Sequence, residues 1–136
     1  MSKTIPDPRR CNYLSPEEFV HLVERYGCEG TSMSFNEPTL LMEKRNYNSF
    51  VTNGYRSLGV LKLLKEYGLN AANIDIKGDE EVVRNFCGAD IGKVWRNSVE
   101  AKRLGIWVEI MTLVTPSLKD DEECLSGIAR KIRLGT

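Results

Sequence analysis

Charged and amide side chains gather at four places in this sequence, each at the end of a short extended run. They are Phe35-Asn36-Glu37-Pro38-Thr39, Val51-Thr52-Asn53-Gly54-Tyr55, Asp75-Ile76-Lys77-Gly78, and Glu109 with Thr112 ahead of Thr115-Pro116. Convergent carboxylate, amide and ammonium groups of this kind bind small polar ligands. Each cluster also has a plainer structural reading. Glu37 would suit the N-terminus of a following helix, where the dipole favours a carboxylate. Thr52-Asn53-Gly54 is turn chemistry, and Asp75 and Lys77 would make an internal ion pair. Four such clusters on successive strands are harder to explain structurally, because burying charge without a partner costs several kcal/mol.

The elements that must position these groups alternate. Ser15, Pro16 and Glu18 form a helix start with a capping box, worth about 1 kcal/mol, and Phe19, Leu22, Val23 and Tyr26 follow as one apolar stripe. Gly27 is the expected left-handed stop. The same ending recurs at Lys65-Glu66-Tyr67-Gly68, Lys102-Arg103-Leu104-Gly105 and Ile132-Arg133-Leu134-Gly135. Extended runs are expected at 31–35, 48–53, 71–77 and 106–114. Helices are expected at 40–45, 57–67, 90–104 and 121–132. Strands that alternate with helices of this length predict βαβ units and a parallel sheet of about four strands with the helices outside.

Within the strands the polarity alternates. Ile74 and Ile76 face one way and Asn73, Asp75 and Lys77 the other; Val108 and Ile110 oppose Trp107, Glu109 and Met111; Ser32, Ser34 and Asn36 oppose Met33 and Phe35. One face packs on helices and the other is a polar lumen, which predicts a partial β/α barrel that holds a ligand. The competing architecture is a flavodoxin-like open sheet, which would be covered on both faces.

Composition narrows the partners. The chain has 136 residues with 19 basic and 19 acidic side chains. No net field draws it to nucleic acid or to an anionic membrane. No targeting segment or apolar run long enough for a membrane span is present, so a cytoplasmic location is expected. Cys11, Cys28, Cys87 and Cys124 lie far apart and read as reduced, mostly core thiols. His21 is the only histidine, which leaves no structural zinc set. Residues 1–14 read as a flexible lead-in and 15–136 as an incomplete barrel domain.

Taken in order, the four clusters together with Asn73-Ile74-Asp75-Ile76-Lys77-Gly78 and Val108–Pro116 resemble the radical S-adenosylmethionine enzymes of the pyruvate formate-lyase-activating type. The likeness is closest to the branch whose genes neighbour the AMMECR and Memo families, and it covers about residues 11–135. It implies part of a (β/α)6 barrel with the cofactor lying across the strand ends. Asn36 and Glu37 would then hold the methionine amino group, which a carboxylate suits. Thr52 and Asn53 match the family's Thr-Asn-Gly segment, and Asp75 and Lys77 lie near the methionine carboxylate. Glu109 lies on the strand that faces cofactor and substrate.

Val51 stands where activating enzymes often carry an Asp that helps to hold a cation. Complete relatives hold a four-iron, four-sulfur cluster on a C-x-x-x-C-x-x-C loop. Here Cys11 alone stands near that place, a remnant of the loop. The resemblance therefore implies a truncated form of an enzyme that cleaves S-adenosylmethionine reductively to a 5′-deoxyadenosyl radical. This chain by itself is expected to be inactive and to hold no cluster. The expected partners are a protein substrate or a completing subunit, with self-association through exposed sheet edges. Two other readings stand beside it. One is a non-catalytic module that binds S-adenosylmethionine or another subunit. The other uses Lys77 as a Schiff-base amine with Glu109 or Asp75 as proton shuttle, a role that an adjacent Asp75 opposes.

Overall fold

Ser15 caps the first helix, α1 (Pro16–Arg25), as its sequence requires. Its hydroxyl accepts from the Glu18 N–H at 3.2 Å, and the Glu18 carboxylate accepts from the Ser15 N–H at 2.8 Å. Val23 is buried while Phe19 and Leu22 are half-buried. Tyr26 leaves the expected stripe: it is the C-cap, where the chain turns away from the helix, and is 74% exposed. The computed structural model describes residues 14–33, 47–114, 116 and 122–135. The expected lead-in up to residue 13 and the helix at 40–45 lie outside them.

Four strands follow: β1 (Gly30–Met33), β2 (Tyr47–Thr52), β3 (Leu69–Asp75) and β4 (Trp107–Met111). Helix α2 (Leu58–Glu66) joins β2 to β3, α3 (Glu80–Cys87) and α4 (Ile91–Arg103) join β3 to β4, and α5 (Glu122–Gly135) comes last. All strands are parallel, and their order in the sheet is their order in the chain. A flavodoxin-like sheet reverses direction next to its first strand. This sheet never does, so it is an arc of a β/α barrel.

One core explains why the helices share a face. Phe50 of β2, Ala72 and Ile74 of β3, Leu61 and Leu64 of α2, Val94 and Ala101 of α4 and Ile128 of α5 pack into a single buried cluster, with Val108 and Ile110 of β4 against it. Of the four recurring glycines, Gly27, Gly68 and Gly105 take the left-handed conformation that ends a helix, whereas Gly135 is still within α5.

Helix α3 is not among the helices expected from the sequence, although Val82, Val83 and Phe86 stand at helical spacing. Val82 and Val83 are its buried residues. The signals that define it are at its ends: the Asp79 carboxylate accepts from the Val82 N–H at 2.9 Å, and Gly88 closes it at φ 62°. The cysteine expectation is also corrected. Cys124 is buried, but Cys28 follows the Gly27 turn and Cys87 ends α3, and both are exposed.

A buried amide stitches the other end of the sheet. The Asn48 side chain is 4% exposed. It accepts from Thr31 Oγ1 at 2.8 Å and donates to the Gly68 carbonyl at 3.3 Å, while its backbone N–H donates to Asn70 Oδ1 at 2.8 Å. At this point the β2–β3 register slips by one residue, so Asn48 opposes Leu69 but Ser49 opposes Ala71.

Candidate cofactor-binding face

The register places three side chains of β3 beside three of β4 on the face away from the helices. Ala71 opposes Trp107, Asn73 opposes Glu109, and Asp75 opposes Met111. Val51 of β2 joins the row opposite Asn73. The buried core of α2, α4 and α5 lies against the other face, and Trp107 stands 74% exposed. Polar groups thus concentrate toward the carboxyl ends of the strands, where parallel α/β folds hold ligands.

Two contacts organise that end. Asn73 Nδ2 donates to Glu109 Oε2 at 2.6 Å across the strands. The Lys77 ammonium, just past β3, pairs with Asp75 Oδ2. Each contact uses one end of its β3 side chain and leaves the other. Asn73 Oδ1 and Asp75 Oδ1 are buried, and neither has a hydrogen-bond partner among the described residues. A buried acceptor without a donor is costly, and among the described residues nothing donates to these two. A ligand that pairs with them must bring hydrogen-bond donors.

Of the residues singled out from sequence, the structure brings Asp75, Lys77 and Glu109 together. Asn73 belongs with them; the alternation had put it in the lumen, but without a ligand-holding role. Thr52 is elsewhere. It opposes Ile74 on the helix side, the side of the buried Phe50, and its hydroxyl accepts from the Gly54 N–H at 3.2 Å. Its work here is to close the turn after β2. Asn53 is exposed on that turn, and its Oδ1 accepts from the Tyr55 N–H at 3.0 Å. One residue past the Thr52–Ile74 pair, it flanks the Asp75 end of β3. Asn36, Glu37 and Cys11 lie outside the described residues.

The turn itself is fixed from behind. Gly54 is buried at φ 67°, and a Cβ there would lie 2.8 Å from Ile74 Cγ2 and 2.9 Å from Val94 Cγ1. Only glycine fits both the conformation and the space. Asn97 of α4, 3% exposed, donates from Nδ2 to the carbonyls of Gly54 and Arg56 at 2.8 and 2.7 Å. The signal for Asn97 lay in the pattern of α4: it falls between Val94 and Ala101 in the buried stripe, where a polar residue needs a partner.

Among the described residues no three His, Cys, Asp or Glu side chains come together to hold a metal, and no helix is long and apolar enough to cross a membrane.

The sequence matches the Radical SAM superfamily over residues 1–126. It is 34% identical over 144 aligned positions to the uncharacterized protein MJ0808 of Methanocaldococcus jannaschii, an alignment that spans 98% of this chain and 42% of that protein. The chain therefore covers less than half the length of this curated relative. The fold is similar to the crystal structure of a domain of pyruvate-formate lyase-activating enzyme from Bacteroides vulgatus. The TM-score is 0.64 over 75% of this chain and 70% of that one, at 14% identity. Matched over nearly its whole length, the chain belongs to the radical SAM superfamily, with the fold of its pyruvate formate-lyase-activating type.

Proposed function

We propose that this chain provides the S-adenosylmethionine-binding face of a radical SAM enzyme resembling pyruvate formate-lyase-activating enzyme, and that the face is the row Asn73, Asp75, Lys77 and Glu109. The observation that carries this reading is the pair of buried acceptors, Asn73 Oδ1 and Asp75 Oδ1, with no donor among the described residues. S-adenosylmethionine brings donors in its ammonium, ribose hydroxyls and adenine amine, so the residues present fit it. Lys77 has three donors and is about half exposed, at 47%. It can keep its bond to Asp75 and still meet the methionine carboxylate. Asn53 flanks the same end of the sheet, and Glu37 is assigned to the ammonium by the resemblance.

When bound, the cofactor supplies a 5′-deoxyadenosyl radical on one-electron reduction. The described residues do not fit the iron–sulfur cluster that delivers the electron: no three Cys, His, Asp or Glu side chains among them converge to hold it. The part of this chain is to bind and orient the cofactor. The reductive cleavage, and a protein substrate to receive the radical, belong to the same proposal for the longer relative. The scattered cysteines favour one second reading, a non-catalytic module that binds S-adenosylmethionine or another subunit.

The test is an NMR titration of the chain with S-adenosylmethionine, for wild type, Lys77→Ala and Glu37→Gln. Lys77→Ala should weaken binding about tenfold, the value of one charge-assisted contact. Binding that neither substitution changes would mean that the cofactor sits elsewhere.

A further inference from the structure

Helix α4 grips the turn after β2 at two points one helical turn apart. Lys93 Nζ donates to the Tyr55 hydroxyl at 3.2 Å and lies 5.3 Å from the centre of its ring. Asn97 spends both of its amide hydrogens on the carbonyls of Gly54 and Arg56. Its oxygen accepts from Arg96, at 3.4 Å from Nε and 3.2 Å from a terminal guanidinium nitrogen. The orientation of the amide is thereby determined by chemistry: carbonyls can only accept and a guanidinium can only donate. A carboxylate at position 97 would face two carbonyls with no hydrogen to offer. The turn it holds carries Asn53 to the Asp75 end of the sheet, and Asn97 is buried on the other side of that turn.

We infer that Asn97 is a positioning residue for cofactor binding: by clamping the Gly54–Arg56 backbone it holds Asn53 in reach of the ligand that it never touches itself. This rests on the S-adenosylmethionine reading given above and deepens it. Free of the clamp, the turn keeps its local Asx bond but loses its anchor to α4, and the Asn53 side chain samples positions away from the strand ends. Displacements on the scale of an ångström are enough to cost large factors in affinity or rate.

The experiment compares wild type, Asn97→Ala, Asn53→Ala and the double variant, by NMR titration with S-adenosylmethionine and by amide hydrogen exchange. Asn97→Ala should weaken binding about tenfold while the amides of Gly54 and Tyr55 exchange faster and those of Ala72 to Ile76 do not. The double variant should bind no more weakly than the weaker single one, because Asn97 acts through Asn53. Losses that multiply, or a folded Asn97→Ala protein that binds like wild type, would overturn the inference. If the alanine variant does not fold, Asn97→Ser keeps one donor and is read the same way. If wild type shows no binding, the cofactor reading fails and takes the role of Asn97 in binding with it. Faster exchange confined to the turn would then still identify the clamp, so the two failures are told apart.

Discussion

Asn73 and Glu109 stand directly opposite one another on β3 and β4, and the 2.6 Å bond from Asn73 Nδ2 to Glu109 Oε2 turns the amide so that its oxygen is buried and unpartnered among the described residues. Glu109 therefore fixes which way the Asn73 amide points. Removing it with Glu109→Ala frees the amide to rotate. S-adenosylmethionine binding should fall roughly 5- to 30-fold, about 1–2 kcal/mol, and the Asn73 side-chain amide resonances should shift in the unliganded protein. Unchanged affinity together with unchanged resonances would show that the pair is not what orients Asn73.

Gly54 has neither the backbone freedom nor the space for a side chain. A Cβ would meet Ile74 and Val94 below 3 Å at a positive φ, so Gly54→Ala should destabilise the fold by roughly 3 kcal/mol, from overpacking and backbone strain combined. Urea unfolding measures this through the midpoint at constant slope. A loss below about 1 kcal/mol would mean that the turn relaxes without cost, and that its grip by α4 is looser than the contacts imply.

A four-iron cluster needs ligands that converge in space, and among the described residues no three Cys, His, Asp or Glu side chains do. Cys28 and Cys87 are exposed at different turns and Cys124 is buried in α5. Anaerobic reconstitution of the chain with iron and sulfide should leave it far below one four-iron cluster per molecule. Stoichiometric, reducible cluster in the monomer would require ligands that these cysteines do not provide, and would point to residues such as Cys11.

The sheet has two open flanks among the described residues, β1 on one side and β4 on the other. Beside β4 the surface is apolar: Trp107, Leu113 and Val114 are exposed at 74%, 68% and 47%. Unprotected parallel strands next to such a surface recruit further strands. Light scattering after size exclusion should show dimers or larger species that grow with concentration. A single monomer mass across the range would show that these flanks do not associate, and would remove the case for a completing partner.

Much of this was written in short-range pattern. The capping box at Ser15 and Glu18, the glycine stops at 27, 68 and 105, and the alternation of Asn73 and Asp75 against Ile74 and Ile76 each depend on neighbours a few residues away. Propensity and periodicity act at that range, so the strands, the helices other than α3 among the described residues, and the polar face of the sheet could be read directly. Thr52 shows the same logic incompletely applied: two residues from the buried Phe50, it must share its side of the strand and face the helices.

What no local pattern encodes is which distant groups meet. Asn73 reaches Glu109 across 36 residues and Asn97 reaches Gly54 across 43. The first contact depends on the register of β3 against β4, and the second on where α4 packs over the end of β2. Both are outcomes of core packing, in which Val94, Ile74 and Phe50 find one joint arrangement. The sequence by itself determined that a polar row would line one side of a parallel sheet. The tertiary structure decided that the row holds two buried acceptors with no donor among the described residues, and that a buried asparagine on a helix holds the turn after β2.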